Sequence, residues 1–225
     1  MKIPDINVLY EDNHIIVVEK GIGMLSQADN TGDDDLVNIV KSYIKEKYDK
    51  PGNVYLGLVH RLDRMVGGIM VFAKTSKAAS RLSDSIRKNE INKYYMAIVH
   101  GKLEGKNRLI NNIKKLDNGN SVISPDGKEA ILDYEAISYN KEKNCSLVKI
   151  HLLTGRHHQI RVQFANIGHA ILGDHRYSFG EEDYPIALYA YKLEFVHPVK
   201  KEEMSFQLLP KNYGFWKLFD VNKIL

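Results

Sequence analysis

Apolar and polar positions along the 225 residues alternate between a two-residue and a helical period, and this sets the elements to expect. In "LYEDNHIIVVEKGIGM" the run Ile15–Val18 and the Gly21/Gly23 turn predict a strand pair near the N-terminus. "DDDLVNIVKSYIKEKY" predicts a helix: Leu36, Val40, Tyr43, Ile44 and Lys47 recur at helical spacing, and the acids suit the positive end of the helix dipole. "GIMVFAK" (68–74) is continuously apolar, which predicts a buried strand. "TSKAASRLSDSIRKN" predicts a helix capped by Thr75 or Ser76, with Ala79, Leu82 and Ile86 inward.

"NKYYMAIVHG", "AILDYEAIS" and "CSLVKIHLL" read as strands. The polar stretch 103–129, with "DNGN" and "PDGK" turns, predicts an exposed hairpin region. "TGRHHQIRVQFANIG" predicts a helix capped by Thr154 and stopped by Gly168, with Ile160, Phe164 and Ile167 toward the core. Tyr189, Tyr191, Leu193 and Phe195 alternate on one strand face, and "EEMSFQL" is its expected hairpin partner. Hairpin-joined strands with a few helices imply an α+β fold, a mixed, largely antiparallel sheet flanked by helices. No repeat or linker divides the chain, so one domain over 1–225 is expected.

Composition changes this picture little. The chain is 44% hydrophobic and 27% charged, ordinary for a globular protein with a sizeable core. The apolar runs are too short to span a membrane, and the N-terminus has acids where a secretory signal needs an apolar run. One cysteine, Cys145, permits no intrachain disulfide and reads as a packed thiol; the expected compartment is the cytoplasm. Net charge is +4, but residues 74–115 hold eleven Lys and Arg against three acids. Such a stretch meets a phosphate backbone or forms a solvated face, and charge alone does not separate these readings.

Two constellations carry candidate chemistry. In "LVHRLDRMVGGIMVFAKT" Asp63 stands between Arg61 and Arg64. A carboxylate that acts as nucleophile or base in a dry pocket must stay ionised, and a guanidinium opposes the effect of burial. The Gly67–Gly68 pair lets a backbone or substrate approach closely. The plain alternative is a surface ion network beside a turn. In "LLTGRHHQIRVQFANIGHAILGD", His157 and Arg161 are four residues apart on the expected helix, near an N-terminus that favours anions. His157, His158, His169 and His175 match no zinc-ligand spacing, so no metal is expected.

The blocks "HRLDRxxxGxxxFAKT" at His60–Thr75, "KxYxAxVxG" at Lys93–Gly101 and "LxTGRxHQIRVxxxxxGHxIxGDxxY" at Leu152–Tyr177 resemble, in order, the RluA-type RNA pseudouridine synthases. The likeness covers nearly the whole chain. It implies that Asp63 is the catalytic aspartate, that Tyr95 packs against the target base, and that Arg161 pairs with the aspartate. It further implies substrate contacts from His60, Arg61, Arg64, Lys93, Arg156, His158 and Gln159. An RNA-backbone track along Lys74, Lys77, Arg81 and Lys88 would give the basic stretch its purpose. The family isomerises uridine without cofactor or metal, by attack of the aspartate on the nucleotide or proton abstraction from the ribose.

The expected partner is structured RNA, ribosomal or transfer, met by a monomer with no obligatory protein partner. Val66–Gly67, His157, Gln163 and Gly21 depart from the family pattern without removing a catalytic position. The likeness begins near the N-terminus, so the chain is expected to start at the catalytic module without the S4-like domain often found before it. The alternative reading is a non-catalytic RNA-binding module or RNA chaperone on the same fold, and a metal-dependent hydrolase is a third.

Overall fold

A computed structural model describes residues 4–178 and 184–224. The chain forms two compact units: residues 1–91 with 192–208, and residues 92–191 with 209–225.

In the first unit, strand β1 (Val8–Glu11) and β2 (Ile15–Lys20) form the expected N-terminal pair, and β2 pairs antiparallel with β4 (Gly67–Ala73) in register from Ile15 opposite Ala73 to Lys20 opposite Gly68. Strand β3 (Gly57–Leu58) also pairs with β4. The continuous apolar run of β4 has its reason here: all seven residues are buried, so both faces of the strand are covered. One face joins Ile15 and Val17 of β2 with Ile69 and Val71, against Ala78 and Leu82 of helix α2 (Ser76–Arg87). Thr75 caps α2, its hydroxyl accepting from the Ala78 N–H at 3.2 Å. Helix α1 (Leu36–Lys47) buries Leu36, Val40 and Ile44 and is capped by Asp35. The second half of strand β10 (Leu188–Val196) pairs with β11 (Glu203–Gln207), the expected hairpin.

The second unit is an antiparallel ladder in the order β5-β9-β8-β6-β7: β5 (Asn92–His100), β6 (Lys106–Lys115), β7 (Ser121–Ile123), β8 (Lys128–Asn140) and β9 (Cys145–Leu152). The polar stretch 103–129 is therefore strand for much of its length, exposed on one face as the alternation on β6 requires. Cys145 is fully buried, as expected of a packed thiol. Helix α3 (Gln159–Asn166) packs Val162 on Ile113 and Ala130, and Phe164 against Tyr134. Buried Gln163 ties α3 to the ladder, donating from Nε2 to Asn111 Oδ1 at 2.8 Å and Ala130 O at 3.2 Å.

The helix expected from Thr154 starts five residues later. His158 adopts a left-handed φ of 52°, which interrupts the helix before Gln159. The Thr154 hydroxyl donates to the Gln159 side chain at 2.8 Å instead of capping. His157 therefore lies outside the helix, and the four-residue pairing of His157 with Arg161 on a helical face is corrected.

Candidate active site

In the first unit Asp63 stands on a loop between β3 and β4 whose backbone is pinned residue by residue. The His60 Nε2 accepts the Val71 N–H of β4 at 3.1 Å, so this nitrogen carries no proton. Leu62 is gripped at both backbone groups by buried Ser26: its N–H donates to Oγ at 3.1 Å and its carbonyl accepts from Oγ at 2.7 Å. The Arg64 carbonyl accepts from the Gly23 N–H at 3.0 Å and from Lys20 Nζ at 2.9 Å. Asp63 closes a short turn, its carbonyl accepting the Val66 N–H at 3.0 Å. Gly68, the second residue of β4, has a φ of 132°, a conformation closed to side-chain-bearing residues.

Lys20 was not singled out from the sequence. It is fully buried, and its ammonium donates to the carbonyls of Gly21 (3.0 Å), Met24 (2.7 Å) and Arg64 (2.9 Å), one acceptor for each N–H. Burial pushes its pKa down to about 8, the charge of Asp63 pulls it back up, and that of Arg64 adds to the lowering. A buried cation thus lies within electrostatic reach of the Asp63 carboxylate, beside the two arginines that the sequence offered. Ser26 and Lys20 leave only a faint signal in sequence, a lysine ending an apolar strand and a serine in a loop.

The side chains around Asp63 divide. Arg61 is exposed. Arg64 is turned toward its own unit, donating from Nε to Gly23 O at 3.0 Å and pairing with Asp33 at 2.7 Å. That pair is about half exposed and so weak enough to open to a phosphate.

In the second unit Tyr95 is buried in β5, while its neighbour Tyr94 is partly exposed and stacked on His151 with centroids 4.5 Å apart. Burial lowers the pKa of the Lys93 ammonium, also on β5. Arg161 is held by fully buried Asp174 through a bidentate pair, Nε–Oδ2 at 2.8 Å and Nη2–Oδ1 at 2.6 Å, with the Tyr177 ring 5.2 Å from the guanidinium. Asp174 belongs to the "GDxxY" end of the third sequence block and holds Arg161 in one orientation. The Tyr177 hydroxyl accepts the Ser121 N–H at 2.7 Å and lies 2.9 Å from His158 Nδ1. Arg156 is exposed, with Nε on Glu129 O at 2.8 Å.

The Gln159 side chain is buried and engaged in the fold. Oε1 accepts from Thr154 Oγ1 (2.8 Å) and the Arg156 N–H (3.0 Å), and Nε2 donates to Ile131 O (3.1 Å).

The expected RNA track on α2 is also largely engaged. Lys74 pairs with Glu11 at 2.6 Å and is almost buried. Arg81 donates to Pro198 O at 2.8 Å. Lys88 pairs with Asp84 at 2.8 Å. Among the described residues, only Lys77 of the four has no partner.

Residues 14–166 match the RNA pseudouridylate synthase family, and the chain belongs to it; its members are isomerases. An RNA pseudouridine synthase of Aquifex aeolicus is 34% identical over 219 residues, covering 90% of this chain and 69% of that protein. The dual-specificity RNA pseudouridine synthase RluA of Haemophilus influenzae is 33% identical over 213 residues, 90% of this chain and 92% of that one, in keeping with the RluA-type blocks. The human RNA pseudouridylate synthase domain-containing protein 4 has the same fold, with a TM-score of 0.76 at 23% identity, over 91% of this chain and 89% of that chain. No helix among the described residues is long and apolar enough to cross a membrane.

Proposed function

We propose that this chain isomerises uridine to pseudouridine in structured RNA, ribosomal or transfer, with Asp63 as the catalytic carboxylate. The observation that carries the reading is the pinned loop: Leu62 and Arg64 are each fixed by buried side chains, so the residue between them is presented on a rigid support. Rigid placement of one carboxylate is what a reaction at a single glycosidic bond requires.

The uridine leaves its stack at a cost of a few kcal/mol, least in a loop or bulge. Tyr95 returns part of this by stacking, roughly 1–3 kcal/mol per base. Arg161, oriented by Asp174, serves as the basic partner of the catalytic aspartate. Arg61, Arg64, Lys93, Arg156 and His158 supply substrate contacts. The carboxylate attacks the nucleotide or removes a ribose proton; both routes need it ionised. The N1–C1′ bond breaks, the uracil turns, and its carbon 5 bonds C1′ and then gives up its proton. No cofactor enters. The protein works as a monomer in the cytoplasm, where these RNAs reside.

Asp63→Asn keeps size and polarity and removes the charge. Tritium release from RNA labelled at uridine carbon 5 is expected to vanish, while RNA affinity stays within a few-fold. Turnover by the Asn variant within tenfold of the parent would remove Asp63 from the role. A parent that binds RNA and releases no tritium would instead support a non-catalytic RNA-binding module.

A further inference from the structure

The second unit carries a cavity lined by one of the proposed substrate contacts, Arg156, and bordered by another, Lys93. It has a volume of about 350 Å3 and lies between the β6–β7 hairpin, the turn into β8 and the segment Gly155–His157. Its frame is built closely. A Cβ on Gly127 would fall 2.5 Å from the Ile113 carbonyl carbon, so only glycine lets the turn before β8 close on β6. The buried Ser121 hydroxyl fastens the opposite wall, 2.8 Å from the His157 carbonyl and 3.0 Å from its Nδ1.

The walls are cationic. On β6 and its neighbours most basic residues are neutralised: Lys106 by Glu135, Arg108 by Asp133 and Lys114 by Asp126. The Lys114–Asp126 pair itself lines the cavity, and beside it stand further cations that are not neutralised. Among the described residues, Lys115, Lys128 and Arg156 line it without a carboxylate partner. Lys93, whose pKa is lowered by burial, places Nζ 3.6 Å from where a Gly155 Cβ would stand, at the cavity margin. Uncompensated cations in a concavity concentrate positive potential and attract an anion. Ile113 is the single large apolar residue of the lining, so the cavity does not suit an apolar ligand.

We propose that this cavity holds a phosphate group of the RNA backbone. The proposal rests on RNA being the substrate. A phosphate ester is the shared chemistry of RNA and of a free nucleotide. Among the described residues no Phe, Tyr or Trp lines the cavity, and its one aromatic ring, His157, is already stacked on His158 with centroids 3.8 Å apart, so the geometry favours the polymer over a stacked nucleotide base. Lys115 and Lys128 are exposed point charges suited to a phosphodiester passing over the rim.

The test compares two double variants with equal charge loss. Lys115→Gln with Lys128→Gln removes two unpaired cations from the cavity rim. Lys141→Gln with Lys143→Gln removes two exposed lysines at the β8–β9 turn. A labelled transcript is titrated with each at several salt concentrations. The rim variant is expected to bind more weakly and to flatten the slope of log affinity against log salt by about 1.4, at roughly 0.7 per single-stranded contact. The control is expected to keep the parent slope. Equal losses in both variants, or an unchanged slope in the rim variant, would overturn the proposal. So would UMP binding that depends on Lys115 and Lys128 while the RNA slope stays constant, because the cavity would then be a nucleotide site. Failure of the wider reading looks different: a parent that forms no pseudouridine in any RNA, whatever the slopes.

Discussion

One hydroxyl, that of Ser26, holds both backbone groups of Leu62, the residue before the proposed catalytic aspartate: Oγ accepts the Leu62 N–H at 3.1 Å and donates to its carbonyl at 2.7 Å. Thirty-six residues of sequence separate them. Ser26→Ala leaves two backbone groups unmet in a buried place, at a cost of about 1–3 kcal/mol in urea unfolding. Turnover is expected to fall further than stability explains, because the loop no longer holds Asp63 in one place. Parent-like turnover at a temperature where both proteins are folded would separate this clamp from the chemistry.

Lys20 makes stability depend on pH. In the fold its pKa is about 8 against the ordinary 10.5, so between those values the unfolded chain holds a proton that the folded chain has released. The contribution of this group to stability therefore rises with pH from about 8 to 10.5 and is flat below 8. The difference in unfolding free energy between the parent and Lys20→Met is expected to move in the parent's favour across that window. Activity is expected to move the other way, since the neutral amine has two N–H groups for three carbonyls. A stability difference that is flat from pH 7 to 10.5 would mean that Lys20 keeps its proton.

Tyr94 and Tyr95 point to opposite sides of β5, and their burial differs accordingly. Tyr95→Ala is expected to cost roughly 3–5 kcal/mol, as for a large core aromatic, and to abolish turnover even where the protein remains folded. Tyr94→Ala removes a partly exposed ring stacked on His151, worth about 1 kcal/mol, and is expected to leave more activity than Tyr95→Ala. Urea unfolding and tritium release measure the two effects separately. Greater loss of activity in the Tyr94 variant would assign the base-stacking role to the other face of the strand.

Helix α2 is a weaker RNA track than its charge suggests. With Lys77, Arg81 and Lys88 all changed to Gln, three lost contacts would flatten the salt slope by about 2.1, at roughly 0.7 each. Arg81 is bound to Pro198 O in a partly buried place, whereas the exposed Lys88–Asp84 pair opens easily. The expected flattening is therefore about 1.4, and the Arg81 change is read in stability instead. A slope identical to the parent's would make α2 only a solvated face.

The sequence alone determined the elements wherever one local rule governs. The β4 run, the Thr75 cap, the closing hairpin and the order of the three motif blocks are all short-range patterns, so they were legible. The family followed from those blocks, and with it Asp63, Tyr95 and Arg161 as the residues to examine. Where a local signal competed with distant partners, the sequence reading failed. Thr154 has the form of an N-cap, but its hydroxyl is drawn to Gln159, and the left-handed His158 moves the helix start. Nothing local marks Gln159 as buried, yet its three hydrogen bonds close the segment on itself and on Ile131.

Net charge is legible residue by residue; its neutralisation is not. Arg108 meets Asp133 only because β6 and β8 pair in register, and Lys74 meets Glu11 only because β2 pairs with both β1 and β4. The same holds for what supports Asp63. Ser26 and Lys20 reach the 60–64 loop from 36 and 44 residues away. A buried hydroxyl or ammonium finds its backbone partners only when the sheet brings them within 3 Å, and no spacing rule along the chain records that distance. Sequence thus selected the carboxylate, and tertiary structure alone decided what holds its loop and which cations remain unpaired.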